Sequence, residues 1–240
     1  MKGIFFDMDG VLLDSMPYHA EAMYKALKLE LDYELDKKWI FLLEGMPAEK
    51  FLQEIFKRNP PKNVSVNQDM LLRLVNLKKK IFKEIENVAL IDGVYELLEE
   101  MDKTSCIKAI VSGSSRKEVE YMIEKKIGIL NFDIVISGDD VTRGKPDPQP
   151  YLTALKKTNL AREDVLVVEN SPLGIMSACN AKLEYIVTLN STPLTIQDFN
   201  NFLPNSIKNE FSKYIFKDIR SARDFIFDWI YKSHGKIVHI

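Results

Sequence analysis

The stretch Gly3–Asp14, GIFFDMDGVLLD, decides the fold, because a short apolar run ends in two carboxylates and a glycine. The residues Ile4–Phe6 are strand formers without a helical period, as expected of a strand covered on both faces in an α/β sheet. Residues two apart on a strand point to the same side, so Asp7 and Asp9 can serve one site. Ligands of open α/β sheets bind beyond the carboxyl ends of the strands. The stretch therefore predicts a buried strand with a functional site at its end.

Two other interpretations of the D-x-D-G pattern need to be weighed. Asp and Gly are ordinary turn residues, so the pattern alone is equally compatible with a solvated turn. An EF-hand calcium loop would need Asp or Asn at Val11 and Glu at Tyr18, and this sequence does not meet that requirement. The choice between a turn and a site therefore depends on whether polar residues follow other strands.

Length and composition limit the class of protein. The 240 residues, 46% of them hydrophobic and 28% charged, suit a soluble globular protein with one domain and a large insertion, or two modest domains. A formal net charge of −2 gives no general attraction to nucleic acid or anionic membranes. Cys106 and Cys179 lack C-x-x-C spacing, which argues against a disulfide framework or zinc site and for a reducing compartment. No apolar run resembles a signal peptide or membrane span. We expect a cytoplasmic monomer that binds neither nucleic acid nor membrane.

The region after the first strand has a helical pattern. Apolar spacing predicts helices over 17–29, 36–43, 47–58 and 67–86, and no convincing strand lies between Pro17 and Val88. Residues 17–87 are therefore expected to form a helical unit inserted after the first strand. In its last helix, four lysines are expected on the solvated face: Lys78, Lys79, Lys80 and Lys83.

From Asp92 onward, helices and strands alternate, which implies an α/β fold with a parallel sheet and helices on its faces. The predicted strands are 106–111, 133–136, 164–168, 185–189 and 214–216. The predicted helices are 92–103, 116–126, one ending near Thr158, one starting at Pro172 with Ser171 as its capping residue, and 221–231.

Polar side chains follow several of these strands. They are Ser112 in the serine-rich loop 112–115, Lys145 in the stiff loop 143–148, and Glu169 with Asn170. Carboxylates such as Asp7 and Glu169 suit Mg²⁺, which takes oxygen ligands. Lys145 would neutralise phosphate charge, and Ser112 would hold a phosphate oxygen. Free N–H groups in the first turn of helix 116–126 could face the same anion.

Each of these residues also has a plain interpretation. Taken alone, Ser112 could be a turn residue, Lys145 a solvated loop lysine, and Glu169 a residue at a helix start. Their occurrence together at successive strand ends makes coincidence improbable. The sequence therefore predicts a metal-assisted phosphate site.

Four motifs in series carry a family resemblance: Asp7–Ser15, Ser112, Gly144–Pro146 and Glu169–Gly174. In this order they resemble the haloacid dehalogenase (HAD) superfamily of aspartate-nucleophile phosphotransferases, and especially its branch of β-phosphoglucomutases and small sugar-phosphate phosphatases. The resemblance covers nearly the whole chain. It implies a Rossmann-like core of residues 1–16 plus 88–240 and a helical cap of residues 17–87.

The resemblance also implies a cofactor and roles for the site residues. Magnesium would be held by Asp7, Asp9, Glu169 and Asn170, and phosphate by Ser112, Gly113 and Lys145. Asp7 would be the nucleophile that forms an aspartyl-phosphate, while Asp9 would protonate the leaving oxygen and then activate water. Asp7 is expected to stay ionised at the metal. Asp9, which gives the metal only its backbone carbonyl, is expected to retain a proton.

The chain departs from its relatives in one motif. Many relatives have a Glu-Asp pair where this chain has Glu169 and Asn170, so a neutral oxygen ligand replaces an acidic group. We expect weaker magnesium affinity without loss of activity.

The cap residues that would select the substrate are His19, Glu44, Gly45 and Lys50. His19 occupies the position of a histidine in the cap hinge of the mutase branch, although a lone histidine near a helix start is more often solvated or capping. The turn around Glu44 and Gly45 resembles the cap loop that enters the active site. In β-phosphoglucomutases this loop carries an arginine for a second phosphate, and Ala48 stands there in this chain. Lys50 could substitute for that arginine.

These observations favour a magnesium-dependent phosphatase acting on a small phosphomonoester, such as a sugar phosphate. A β-phosphoglucomutase-type mutase is the alternative. A catalytically inactive phosphate-binding protein is the third interpretation, disfavoured because every catalytic residue type is retained.

Overall fold

The computed structural model describes residues 1–62, 64–128, 131–211 and 214–232. Within them lies one six-stranded sheet. Its strands are Gly3–Phe6 (β1), Ile107–Val111 (β2), Ile134–Ile136 (β3), Val165–Glu169 (β4), Glu184–Thr188 (β5) and Ile215–Phe216 (β6). Their order is β3-β2-β1-β4-β5-β6, and every neighbouring pair is parallel. The predicted α/β class with a parallel sheet is confirmed.

Strand β1 lies at the centre of the sheet, and all four of its residues are buried. Its Phe5 pairs with Ala109 of β2 on one side and with Val167 of β4 on the other. The chain leaves β1 toward β2 and β3 and later crosses back to β4, so the strand order reverses beside β1. Ligands bind at such a switch point in open α/β sheets. The carboxyl end of β1 is therefore the place that the topology itself offers for a site.

The chain between β1 and residue 87 is helical, as predicted. It holds Met16–Leu31 (α1), Lys38–Leu42 (α2), Ala48–Arg58 (α3) and Gln68–Ile85 (α4), and the described residues 17–62 and 64–87 contain no strand. The apolar stripe of α3 is buried against its neighbours, with Leu52 fully inaccessible. The division into a core and a cap of residues 17–87 stays a prediction.

The buried residues of the cap do not form an isolated core. They belong to two hydrophobic clusters that both include residues of the core: Val187 of β5 lies in one, and Phe82 of the cap lies in the other with Phe6 of β1. An ion pair of 2.5 Å between Lys38 of the cap and Asp198 adds a polar contact. The cap is therefore joined to the core by apolar packing in two clusters.

Helices cover the sheet on both faces. They are Val94–Met101 (α5), Arg116–Met122 (α6), Gln149–Thr158 (α7), Pro172–Asn180 (α8), Ile196–Phe202 (α9), Asn205–Phe211 (α10) and Ile219–Tyr231 (α11), with α6 continuing as a π-helical turn over Ile123–Ile127. Within the described chain, no helix is both long and apolar enough to cross a membrane. The last residues of the predicted core, 233–240, lie outside the described residues.

The sequence analysis assigned no helix to the region of α9 and α10. Thr195 and Asp198 form a reciprocal capping box at the start of α9, and Phe199 is buried one turn later. This T-x-x-D pattern is a recognised start of a helix and could have revealed α9. Apolar spacing does not indicate α9 and α10 because both helices are only seven residues long and carry few apolar positions.

Leu52 tests the packing of the cap. Because its side chain is fully buried, replacement by alanine should leave a cavity and lower the free energy of unfolding by about 2–5 kcal/mol. Leu72 on the neighbouring helix is 46% exposed, so its replacement by alanine should change stability by no more than about 0.5 kcal/mol. Urea denaturation of both variants measures the difference. Equal stabilities would show that the cap helices do not pack as described.

Candidate active site

A glycine turn ends the first strand at the site. The Asp7 N–H still follows the sheet and donates to the Val168 carbonyl at 3.0 Å. Three residues beyond, Gly10 adopts a φ of +85°, which L-residues rarely tolerate. A Cβ at Gly10 would lie 2.0 Å from the Asn170 side-chain nitrogen. Glycine here therefore allows the loops after β1 and β4 to meet.

A buried ammonium joins the two central carboxylates. Lys145 Nζ donates to Asp7 Oδ1 and, at 2.7 Å, to Glu169 Oε1. All three side chains are nearly inaccessible to solvent. A buried charge is costly unless it is paired and hydrogen-bonded, so this lysine and its two partners require one another. The structure thus brings together residues that are distant in sequence, since Asp7 and Glu169 are more than 160 positions apart.

Glu169 has its hydrogen-bonding capacity filled by protein donors. Oε1 accepts from Lys145 and from the Tyr151 hydroxyl at 2.6 Å, while Oε2 accepts from the Asn170 N–H at 3.1 Å and Ser171 Oγ at 3.3 Å. A carboxylate offers about four lone-pair sites. In this arrangement Glu169 holds Lys145, and its role as a magnesium ligand stays a prediction.

Tyr151 is a site residue that the sequence analysis missed. Its ring is fully buried on α7, and burial together with Glu169 raises the pKa of its hydroxyl well above the usual value, so it remains a donor. A buried tyrosine hydroxyl normally needs a polar partner. That need was the available indication, but the sequence alone could not name Glu169 as the partner.

Three donors surround the Asp9 carboxylate. Ser15 Oγ donates at 2.5 Å, Ser114 Oγ at 3.1 Å, and His19 Nε2 lies 3.4 Å from Oδ1. Burial opposes ionisation, yet the hydrogen bonds from His19, Ser15 and Ser114 lower the pKa of Asp9 to about 2. Ser15 precedes α1 but makes no capping hydrogen bond to it with its side chain, which instead binds Asp9. Ser114 was not singled out from the sequence.

The pKa values of Asp7 and Asp9 are shifted in the opposite directions from those expected: that of Asp7 is raised and that of Asp9 is lowered. Burial raises the pKa of the Asp7 carboxyl; Lys145 opposes the rise, while Glu169 and Asp9 add to it. The expectation that Asp9 retains a proton is contradicted, because its surroundings favour the ionised form. The difference arises from tertiary donors, His19 above all, which the D-x-D spacing does not reveal.

His19 connects Asp9 to a lysine of the cap. Lys78 Nζ donates to His19 Nδ1 at 2.8 Å, which leaves the proton on Nε2 to face Asp9. Burial, followed by the Lys78 charge, lowers the pKa of His19 and favours this neutral ring. The ring also stacks on Phe82, with centroids 4.2 Å apart. His19 is therefore a fixed hydrogen-bond donor to Asp9 in this arrangement.

The prediction of a solvated lysine face is wrong for Lys78 and Lys79. Both are half-buried and line a cavity between cap and core, whereas Lys80 and Lys83 are exposed as expected. Helical spacing correctly placed these residues on the polar side of α4. It could not show that part of this side faces the core.

The cavity between cap and core has a volume of about 360 Å³. Of the residues predicted to bind substrate or phosphate, four lie along its wall: His19, Glu44, Gly45 and Gly113. Asp7 and Asp9 reach it as well. Lys50 is exposed and not part of the wall, so the prediction that it replaces the arginine at Ala48 is wrong. It points away because it lies on the solvated side of α3.

The serine-rich loop is closed by its own hydrogen bonds. Ser112 is buried, and its Oγ accepts from the Ser114 N–H at 3.1 Å. The Arg116 N–H donates to Asp139 at 2.7 Å, and the Ser115 N–H to Glu118 at 3.0 Å. The expectation that the start of helix 116–126 offers free N–H groups is therefore wrong for these two groups, since carboxylates already accept from them.

The cap loop touches the core directly over the carboxylates. Both Glu44 carboxylate oxygens lie 3.1 Å from Asn170 Nδ2, which also lies 3.2 Å from the Asp9 carbonyl. A Cβ at Gly113 would lie 2.8 Å from the Gly45 carbonyl, so the two loops are in close contact. Burial, followed by the Asp7 charge, raises the pKa of Glu44 well above its usual value. The cap is thus closed on the core.

Magnesium is the cofactor that the resemblance implies, and the residues present fit it. Mg²⁺ prefers oxygen ligands, and the Asp7 carboxylate, the Asp9 carbonyl and the Asn170 amide offer them. Asn170 Oδ1 is buried without a hydrogen-bond partner. Among the described residues no group of three His, Cys, Asp or Glu side chains is arranged to hold a metal ion. A metal site here must therefore use amide and backbone oxygens.

Comparison with known proteins points to one family. Residues 4–188 match the family model described as haloacid dehalogenase-like hydrolase. The chain is 30% identical over 188 residues to a phosphorylated carbohydrates phosphatase of Thermotoga maritima, covering 78% of this chain and 84% of that one. It is 25% identical over 185 residues to the β-phosphoglucomutase of Bacillus subtilis, covering 75% and 80%. A solved hydrolase structure from Pseudomonas syringae shares the fold, with a TM-score of 0.78 at 20% identity over 95% of this chain and 99% of that one.

Gly174 tests how tightly Glu169 is held. A Cβ at this position would lie 1.9 Å from Glu169 Cδ, so Gly174→Ala should displace a carboxylate fixed by four donors. We expect a loss of about 1–3 kcal/mol in the free energy of unfolding, measured by urea denaturation.

Helix propensity alone predicts the opposite result for this variant. Alanine within a helix is about 1 kcal/mol more favourable than glycine. A Gly174→Ala protein that is as stable as the natural one, or more stable, would contradict the described packing of α8 against Glu169.

Proposed function

The chain belongs to the haloacid dehalogenase-like hydrolases, and we propose that it is a magnesium-dependent phosphatase that hydrolyses a small phosphomonoester, a sugar phosphate in particular. The observation that carries the proposal is the contact of Lys145 with Asp7 at the end of β1, beside a cavity of about 360 Å³. The similarity to a phosphorylated carbohydrates phosphatase supports a sugar phosphate as the substrate. The cytoplasmic location and the monomeric state expected from the sequence remain predictions.

Asp7 is the nucleophile in this proposal. Its carboxylate attacks phosphorus and forms an aspartyl-phosphate, while the leaving oxygen departs with a proton. Lys145 lies against Asp7 and offsets negative charge on the transferring phosphoryl group. Bound magnesium, held by Asp7, the Asp9 carbonyl and Asn170, would supply further charge neutralisation.

Asp9 is the acid and base. Its low pKa suits the second step, in which an ionised carboxylate takes a proton from the water that hydrolyses the aspartyl-phosphate. In the first step, the negative charge of a phosphate ester beside Asp9 raises its pKa, and this favours the protonated form that the leaving oxygen requires. His19, Ser15 and Ser114 hold the carboxyl group in place through both steps.

The mutase is the second candidate, favoured by one observation. Lys78 and Lys79 line the cavity and bring positive charge that a second phosphate group could use. Against it, Ala48 stands where the mutase branch has an arginine, and no arginine lines the cavity within the described residues. The phosphatase is therefore the better-supported function.

Phosphate release tests the proposal. We expect the natural protein to release phosphate from one or more compounds of a sugar-phosphate panel, only with magnesium. Asp7→Asn should lower the rate by several orders of magnitude, because the nucleophile is lost. Asp69→Asn, a change of the same chemistry at an exposed position of the cap, should leave the rate unchanged.

The same assay separates the alternatives. If no compound releases phosphate, β-glucose 1-phosphate with a bisphosphate primer is the next substrate, and formation of an isomer would identify a mutase. Failure of both assays would favour the phosphate-binding protein. Full activity of Asp7→Asn would contradict the aspartyl-phosphate mechanism directly.

A further inference from the structure

The side-chain amide of Asn170 lies close to the Asp9 carbonyl and the Glu44 carboxylate. It is only 2% exposed. Its Nδ2 is 3.2 Å from the Asp9 carbonyl and 3.1 Å from each carboxylate oxygen of Glu44. The loop after β4, the loop after β1 and the cap loop therefore converge on one amide group.

The other end of this amide has no partner. Asn170 Oδ1 is buried without a hydrogen bond, although a buried amide oxygen normally has one. The two ends of a side-chain amide are nearly equal in shape and are assigned from their hydrogen bonds. Turning the amide by a half-rotation would place its oxygen about where Nδ2 now lies, near the oxygens of Asp9 and Glu44.

An oxygen in that position has the spacing of a magnesium site. With Mg–O bonds of about 2.1 Å, adjacent oxygens of an octahedron are about 3.0 Å apart. The separations of 3.1 and 3.2 Å around the amide are close to this value. Without a cation, three oxygen groups at such distances would repel one another.

Glu44 needs a cation more than the other carboxylates do. Glu169 and Asp7 share the Lys145 ammonium, and Asp9 has three donors of its own. Within the described chain, the Glu44 carboxylate has the Asn170 amide as its hydrogen-bond partner and forms no ion pair. A half-buried carboxylate among other acidic groups, with this single neutral partner, is destabilising.

We propose that Glu44 of the cap is a ligand of the magnesium ion and supplies the carboxylate that Asn170 lacks. This inference rests on the magnesium site of the proposed function and extends it to the cap. Because Glu44 lies on the cap and the remaining ligands lie on the core, the ion binds tightly only when the cap is closed. Metal affinity and cap closure are therefore coupled.

Binding of Mn²⁺, a spectroscopic substitute for Mg²⁺, tests the proposal without reference to activity. Electron paramagnetic resonance measures the free Mn²⁺ during a titration of the full chain, and the fraction bound gives the dissociation constant. Glu44→Gln should weaken binding about 10- to 100-fold. The double variant Glu44→Gln with Asn170→Asp moves the carboxylate from cap to core and should regain most of the lost affinity.

Glu49→Gln is the matched control. Glu49 also lies on the cap beside the cavity, but its carboxylate accepts a hydrogen bond from Gln68, so Mn²⁺ affinity should not change. Hydrogen exchange at the backbone amides of residues 44–46 gives a second readout. Mn²⁺ should slow exchange there in the natural protein, and have little effect on it in the double variant, whose metal is held by the core.

Misfolding of Glu44→Gln would not produce this loss of Mn²⁺ affinity and its recovery in the double variant. Glu44→Gln removes a half-buried carboxylate without a cationic partner, so its thermal unfolding midpoint without metal should equal or exceed that of the natural protein. Unchanged Mn²⁺ affinity in Glu44→Gln, or an affinity that Asn170→Asp does not restore, would overturn the inference while leaving the phosphatase intact. Loss of affinity in Glu44→Gln without ester hydrolysis by the natural protein would refute the function but not the ligand. A natural protein that binds no Mn²⁺ would refute both the ligand and the magnesium dependence.

Discussion

The ion pairs of Lys145 with Asp7 and Glu169 are the contacts on which the site depends. An ammonium in a nearly inaccessible position must be balanced by nearby carboxylates, and these must arrive from separate strands at one point. The parallel sheet meets this requirement, since β1 and β4 are neighbours and end at the same edge. Tyr151 completes the arrangement by donating to Glu169. The pairing of these charges therefore depends on the arrangement of the strands in the sheet.

The cap adds a second layer to this electrostatic arrangement. It brings a carboxylate, Glu44, toward a group of acidic residues, and it brings two lysines, Lys78 and Lys79, to the wall of the same cavity. Like charges brought together favour a cation, and the lysines favour an anion. A metal ion with a phosphate ester satisfies both, which links the substrate class to the same surface that closes the cavity.

The central strand and most of the site could be predicted from sequence, because an apolar run followed by acidic residues is a local pattern. Lys145, Glu169 and Asn170 were identified by their places after successive strands. Contacts made only in three dimensions could not be predicted. Examples are the Ser114 hydroxyl on Asp9, and the orientation of Lys78, whose helix is amphipathic in the expected way but has the core on part of its polar side.

Apolar packing joins the cap to the core in two hydrophobic clusters, so the boundary between them is not mechanically uniform. Separation at these apolar contacts would expose hydrophobic side chains to water, whereas Glu44 of the cap loop meets the core through polar contacts that water can replace. The cap would therefore open more readily at the loop of residues 44–47 than at its apolar contacts. In the proposed phosphatase, substrate and product would pass this loop, so the rate of turnover would respond to changes there that never touch the phosphate.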